Sequence, residues 1–394
     1  MVFGQLQVTG GHPDAIYCAN GSFGIGLFRV SDLRRTELHD FGIQPAAWHD
    51  PSPHTVQFIP VDKDVKLEVL DWGGSGRPIV LLSGLGDTAH VFDDFAPKLT
   101  THYHVYGITR RGFGASSGPV PGNENYSADR LGDDVLAVLD ALKLDRPVLV
   151  GHSIAGEELS SMGTRHPERV AGLIYLEAGN GYAFYDHARG YFSVDLDESQ
   201  RNLQRLQENP PDPRPLMKDL LESELPAFER DLQEQQENYG PHWSPNPSPS
   251  PADLLSFSAY TAWIKRMYGL LDPEAEIRQE FESNPDGSVG KPTTPDSIPQ
   301  AVRAGERKYT NISVPILDIY AAPRDFSLIF KDDPDALAAA EARDVAYAVP
   351  QAKAFESAVP SAHMVRLVRA NHYVFMSNET DVLREMRAFI SSLP

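Results

Sequence analysis

One serine stands out by its neighbours. Ser153 lies in Val148-Leu149-Val150-Gly151-His152-Ser153-Ile154-Ala155-Gly156, where an apolar run ends and a helix-compatible stretch, Glu157 to Met162, begins. Serine is a poor nucleophile at neutral pH and needs a base beside it and an anion-stabilising site close by. A sharp strand-to-helix turn exposes the hydroxyl, and its strained backbone calls for small flanking residues. Gly151 meets that demand. On the far side the expected glycine is Ala155, one methyl larger, with Gly156 next.

The partners of such a serine have expected places. The base is a histidine at the C-terminal edge of the sheet, and His372 follows the last apolar run, 364–368, ahead of a terminal amphipathic stretch. His363 precedes that run, on the wrong edge, and His152 adjoins the serine at a turn where neighbouring side chains diverge. The acid orients the imidazole and stabilises its charge. Asp325, just after the run 315–320, is the first choice, and Glu177, just after 172–176, is the fallback. Asp318 lies inside its strand and reads as structural. The oxyanion site is expected after the run 78–82, in Ser83-Gly84-Leu85-Gly86-Asp87, where glycines let the backbone approach a ligand. Its donors are the backbone N–H groups of Leu85 and Ile154.

These residues need a scaffold, and the chain alternates short apolar runs with longer amphipathic stretches. The segments 55–60 and 66–71 read as a hairpin. The runs 78–82, 104–108, 147–150, 172–176, 315–320 and 364–368 are continuous in Val, Ile and Leu, as parallel strands buried on both faces are. Between them, 130–144 and 380–393 carry apolar residues three and four apart. Alternation of this kind implies a doubly wound, mostly parallel α/β sheet. From 182 to 310 no strand-like run occurs. The stretch is rich in proline, but 197–207, 217–236 and 256–271 are helical in pattern, and Tyr260, Trp263 and Tyr268 give it more apolar surface than disordered segments carry. It reads as a mainly helical cap with mobile Pro-rich loops. The expected organisation is an N-terminal extension, 1–54, a first core part, 55–181, the cap, 182–310, and a second core part, 311–394.

Bulk composition narrows the classes. The 394 residues include 55 acidic and 35 basic side chains, a formal charge of −20. Such a surface repels phosphate backbones and anionic lipid, so neither nucleic acid nor a membrane is an expected partner. The single cysteine, Cys18, excludes an intramolecular disulfide and a cysteine-built zinc site. No run approaches the roughly 18 apolar residues of a membrane helix, and residues 1–11 show no signal-peptide pattern. Cytoplasmic location is the default expectation, with secretion of a processed form still open.

The loop Ser83-Gly84-Leu85-Gly86, the turn Arg110-Arg111-Gly112-Phe113-Gly114-Ala115-Ser116, the elbow at 151–156, Asn371-His372 and the order Ser, Asp, His resemble the α/β-hydrolase superfamily, in particular its capped serine esterases. The resemblance covers 55–180 and 311–394. Two features depart from it: serine stands in place of the usual histidine before Gly84, and the interval from Asp325 to His372 is long. The resemblance implies a Ser153–His372–Asp325 triad, an acyl-enzyme, and no metal or cofactor. Epoxide hydrolases and haloalkane dehalogenases of this fold use a carboxylate where Ser153 stands, so those activities are not expected. Carboxylic esters or lactones are the expected substrates, with carbon–carbon or amide bonds as the alternative and a non-catalytic binding protein as a third reading. Tyr185, Tyr191 and Trp263 are candidates for an aromatic substrate wall favouring hydrophobic or aromatic small molecules; membership of the cap's own core is the competing assignment.

Overall fold

The computed structural model describes residues 15–19, 25–29, 48–122, 124–238 and 248–394. The chain divides into two compact units, 1–51 and 52–394. In the first, β1 (Ala15–Ala19) and β2 (Ile25–Arg29) form an antiparallel hairpin with Cys18 opposite Gly26. The charged stretch 33–41 lies outside the described residues.

The second unit is built on eight strands: β3 (Thr55–Asp62), β4 (Val65–Gly74), β5 (Pro78–Leu82), β6 (His104–Ile108), β7 (Val148–His152), β8 (Gly172–Leu176), β11 (Ile316–Ala321) and β12 (Ala362–Leu367). Their order across the sheet is β12-β11-β8-β7-β5-β6-β4-β3. The β3–β4 and β4–β6 pairs are antiparallel and the others parallel. β9 (Phe281–Ser283) and β10 (Val289–Pro292) make a small hairpin inside the cap, where no strand was expected. Strands of three and four residues are too short for alternation to register in sequence.

The pattern of the strands follows from burial on both faces. Val80 and Leu82 of β5, Leu149 of β7 and Leu173 and Tyr175 of β8 enter one core, with Leu131, Val135, Val138 and Leu139 of the helix Ala128–Ala141 and Leu159 and Met162 of the helix Gly156–Arg165. The alternate residues Ile79, Leu81, Val148, Val150, Ile174 and Leu176 enter a second core on the opposite face. There they meet Phe92, Phe95 and Phe375, and Val382, Leu383, Met386 and Ile390 of the terminal helix Glu379–Ser392. Side chains two apart on a strand share a face, so a run apolar throughout fills both cores.

Between β8 and β11 the cap contributes the helices Phe192–Gln207, Arg214–Asp219, Leu225–Asn238, Phe257–Tyr268, Glu274–Glu280 and Ser297–Arg303. Residues 239–247, in the Pro-rich part, lie outside the described residues. After β11 comes a helix of 25 residues, Pro334–Ala358, which fills much of the long interval between Asp325 and His372. Its Phe355 packs on Tyr175 and Phe184. Among the described residues no helix is long and apolar enough to cross a membrane.

Candidate active site

β7 runs two residues further than its apolar pattern suggested and ends at His152. Ser153 follows with φ +53°, a left-handed conformation costly for a side-chain-bearing residue. The helix Gly156–Arg165 then leaves at once. Ala155 has φ −61° and ψ −10°, ordinary helical values, so nothing in its backbone asks for glycine. The tight residue is Gly156: a Cβ there would lie 2.1 Å from the Ala178 carbonyl oxygen.

His372 Nε2 lies 2.9 Å from Ser153 Oγ, and Nδ1 lies 3.1 Å from Glu177 Oε2. A carboxylate only accepts, so Nδ1 carries the proton and Nε2 presents its lone pair to the serine hydroxyl. Glu177 caps β8, still in register with β11 through its N–H to the Ile319 carbonyl at 2.9 Å. Its Oε1 accepts the Ala321 amide at 2.6 Å, which fixes the carboxylate's other oxygen on His372. Burial is the main cause that holds the His372 imidazole below its ordinary pKa. His152 and Arg324 act in the same sense, while the Glu177 hydrogen bond opposes them.

Asp325 does not reach the imidazole, which corrects the first choice of acid. Its N–H donates to the Ala370 carbonyl at 2.9 Å, and its exposed carboxylate accepts the Ser327 amide at 2.9 Å. The neighbouring Arg324 is tied to Asp344 of the helix Pro334–Ala358 at 2.7 Å and bridges to Ala370. The loop after β11 is thus joined to the loop after β12 and to this helix. Asp318 is buried in β11; burial and the Glu177 charge hold its carboxyl neutral well above the usual range. His363 sits inside β12 opposite Leu317, rather than before the strand.

Leu85 lies on the loop after β5 and is half-buried, and Ile154 follows the serine in the elbow and is buried. A buried guanidinium joins these two elements. Arg110 donates to the carbonyls of Ser83 at 2.8 Å and Gly84 at 2.9 Å, and holds Glu158 of the elbow helix through Nε at 2.7 Å and Nη2 at 2.9 Å. Arg110 was recognised only as part of a turn motif. Glu158 carries no local signal, because its partner is 48 residues away.

The cap adds carboxyls. Glu276 accepts the amide of Thr88 at 2.6 Å and its hydroxyl at 2.5 Å. Asp87, Glu276 and Glu280 bring carboxylate oxygens within 4.8 Å of one another, the geometry of an oxygen-only cation site, though both Glu276 oxygens already accept from Thr88. Burial, with Asp87 nearby, pushes Asp272 up to about 6 and Glu276 to about 8, and raises Glu280 well above the carboxylate range. On the sheet side, Asp93 accepts from His54 at 2.9 Å, His90 at 3.1 Å and Trp72 at 3.1 Å, a connected polar network.

The three aromatic wall candidates have other surroundings. The Tyr185 hydroxyl donates to Asp195 at 2.6 Å, and its ring lies under Lys308 at 4.7 Å. It also lines a cavity of about 730 Å³ with His187, Glu198, Arg205, Glu224 and Lys308, apart from Ser153 and His372. Trp263 packs with Phe257, Ile264, Ile277 and Val289 in a core of the cap's own. Tyr191 packs edge-on against Tyr182 at 5.8 Å and on the main core. Trp263 therefore serves the cap's own core, and Tyr185, buried in the main core, joins it to the cap through Asp195, contacts that favour the competing assignment over a substrate wall.

A family model described as the alpha/beta hydrolase fold matches residues 77–221. The chain is 33% identical over 127 residues to a fluoroacetate dehalogenase from Burkholderia sp, covering 30% of this chain and 42% of that protein. It is 31% identical over 160 residues to a Caulobacter segnis protein provisionally named a carbamate hydrolase, covering 35% and 60%. The chain thus spans less than two thirds of the length of these curated relatives. Among solved structures, E-2-(acetamidomethylene)succinate hydrolase superposes with a TM-score of 0.53 at 16% identity, over 86% of this chain and 100% of the other. A Vigna radiata epoxide hydrolase mutant gives 0.51 at 13% identity, over 86% and 98%. At such identities the likeness is one of fold. With this strand order and elbow, the chain has the α/β-hydrolase fold, and residues 77–221 match that family's model.

Proposed function

We propose that the protein is a serine hydrolase that cleaves carboxylic esters or lactones through an acyl-enzyme, with Ser153 as nucleophile, His372 as base and Glu177 as the acid. The observation that carries this reading is His372 bridging the Ser153 hydroxyl and the Glu177 carboxylate. As Ser153 Oγ attacks the acyl carbon, Nε2 takes the hydroxyl proton, and Glu177 stabilises the imidazolium. The N–H groups of Leu85 and Ile154 receive the oxyanion. Collapse expels the alcohol oxygen, which takes the proton from Nε2. Water then attacks the acyl group and gives a proton to His372; collapse frees the carboxylic acid and returns that proton to Ser153. In a lactone the alcohol and the acid leave as one molecule.

The similar proteins act on different bonds by name: a dehalogenase, a provisional carbamate hydrolase and an epoxide hydrolase. A serine at the elbow supports acyl transfer over the carboxylate-nucleophile chemistries. The preference for hydrophobic or aromatic substrates loses two of its three supports, Tyr185 and Trp263, and is not part of the proposal.

The test is hydrolysis of a chromogenic short-chain ester and of a lactone by wild type and Ser153→Ala. Wild-type turnover that disappears in the variant is the expected result, and turnover that persists overturns the mechanism. Labelling of Ser153 by a fluorophosphonate without turnover of any ester or lactone would move the scissile bond to an amide or carbon–carbon bond.

A further inference from the structure

The catalytic pair leaves a second histidine beside it without a role. His152 is 1% exposed, immediately before Ser153. Its Nε2 lies 3.1 Å from the backbone carbonyl of His372. A carbonyl only accepts, so Nε2 carries a proton and donates it. The other nitrogen, Nδ1, faces Asp87 Oδ2 at 3.6 Å. Asp87 in turn accepts the Tyr373 hydroxyl at 3.1 Å, and its backbone carbonyl accepts the Ser83 hydroxyl at 3.0 Å. The His152 ring lies 4.8 Å from the His372 ring, 4.6 Å from Tyr373 and 5.2 Å from Phe375. Gly84 closes the set: a Cβ there would stand 2.7 Å from Asp87 Oδ2 and 3.0 Å from His152 Nδ1.

Resting on the serine-hydrolase reading above, we infer that His152, with Asp87 and Tyr373, is a positioning residue that sets the loop of His372 against both Ser153 and the oxyanion loop. The argument is topological. Ser153, His372 and Leu85 come from three loops with no covalent link near the site, and their alignment must hold to a fraction of an ångström. Arg110 and Glu158 tie the oxyanion loop to the elbow helix without reaching the histidine loop, which Glu177 and the pairing of Arg324 with Ala370 join to the ends of β8 and β11. His152 ties that loop to the elbow, and Tyr373 ties it to the oxyanion loop through Asp87. The groups facing His372 are Glu177, His152 and Arg324, and those around Asp87 include Glu276, Glu280 and Asp272 from the cap and Arg110 from the loop after β6.

The test compares wild type, His152→Phe, His152→Gln and Tyr373→Phe by ester turnover and by the rate of fluorophosphonate labelling at Ser153. Phenylalanine keeps the ring packing and loses the donor; glutamine keeps an N–H close to the Nε2 position. His152→Phe is expected to label and turn over about 10- to 100-fold more slowly at unchanged KM. His152→Gln recovers part of that loss, and Tyr373→Phe shows a smaller loss of the same kind. The acid limb of kcat/KM moves to higher pH in His152→Phe, because a group that lowers the His372 pKa is gone. Wild-type kcat and labelling rate in a folded His152→Phe overturn the proposal, as does a fall in Tm with no change in either rate. If His152→Phe does not fold, Tyr373→Phe decides by the same readouts. A wild type that fails to label at Ser153 overturns the serine-hydrolase reading instead.

Discussion

Glu177 holds His372 with one carboxylate oxygen at 3.1 Å and the Ala321 amide with the other at 2.6 Å. A single side chain therefore connects the ends of β8 and β11 to the loop after β12. The imidazole is aimed at Ser153 by a group that is itself anchored to the sheet. Removing the charge should leave the fold and disable the base: Glu177→Gln is expected to lower kcat by about 10²- to 10⁴-fold. Asp325→Asn, which alters only an exposed turn, should keep wild-type turnover. Equal losses in the two variants would contradict this assignment.

The pH profile follows from the same contact. In the proposed mechanism the neutral imidazole is the base, and burial holds the His372 pKa below its ordinary 6.5. Lowering the pKa keeps the ring neutral to more acidic pH. The acid limb of kcat/KM, which reports the free enzyme, is therefore expected to fall below pH 6.5. Measurement on a non-ionising ester from pH 4.5 to 8 would show it, and a midpoint above 7 would refute it.

Much of this site was legible because it depends on local pattern. The strands 78–82, 104–108 and 172–176 have their observed bounds. Ser153 and His372 could be placed from the ends of strands alone. The choice of acid could not. Asp325 and Glu177 both follow strands at the same edge of the sheet, and their separation depends on where the loop after β11 goes. That path is set by Arg324 on Asp344 and by pairing with Ala370, contacts across 20 and 46 residues with no periodic signature. The aromatic residues misled for a related reason. Cap helices must bury apolar faces of their own, and Trp263 in such a face reads the same as Trp263 in a pocket.

Buried acids should make stability depend on pH. Asp272, Glu306 and Glu276 titrate near 6, 7 and 8 in the folded chain, all raised mainly by burial. Unfolded, they ionise near their ordinary values of 3.8 and 4.5. Between those ranges the folded state holds protons that the unfolded state has released, so stability falls as pH rises from about 4.5 to 8. The slope is about 1.4 kcal/mol per pH unit for each such proton. Glu276→Gln, whose amide can still bond Thr88, should flatten the upper part of the slope. Tm values from pH 5 to 8 check this; a Tm rising across that range would exclude it.

The elbow permits one small residue to change and not the other. Ala155 has helical dihedrals and is fully buried, so Ala155→Gly should cost about 0.5–1 kcal/mol through backbone entropy and leave turnover intact. Gly156→Ala drives a methyl against the Ala178 carbonyl at 2.1 Å, so the helix must move away from the loop carrying Glu177. That overpacking is expected to cost about 1–3 kcal/mol, together with a clear fall in kcat. Urea unfolding and ester turnover on the two variants test the contrast, and a Gly156→Ala enzyme with wild-type kcat would remove the elbow packing from the account.

The cap aromatics should report on stability rather than on selectivity. Tyr185→Phe deletes the hydroxyl that Asp195 accepts, while Lys308 and the Tyr191 amide still bond that carboxylate at 2.8 Å and 3.0 Å. The expected loss is about 0.5–1.5 kcal/mol, that of one hydrogen bond. Trp263→Leu opens space among Phe257, Ile264, Ile277 and Val289 and should lower stability further through the cavity it leaves. If these side chains serve the cap's interior, the ratio of kcat/KM for an aryl ester to that for an alkyl ester of equal chain length stays at its wild-type value in both variants. A shift in that ratio at unchanged Tm would return Tyr185 or Trp263 to the substrate wall. The cavity beside Tyr185 gives the measurement its edge: a substrate reaching that space would lose affinity in Tyr185→Phe and leave Trp263→Leu unaffected.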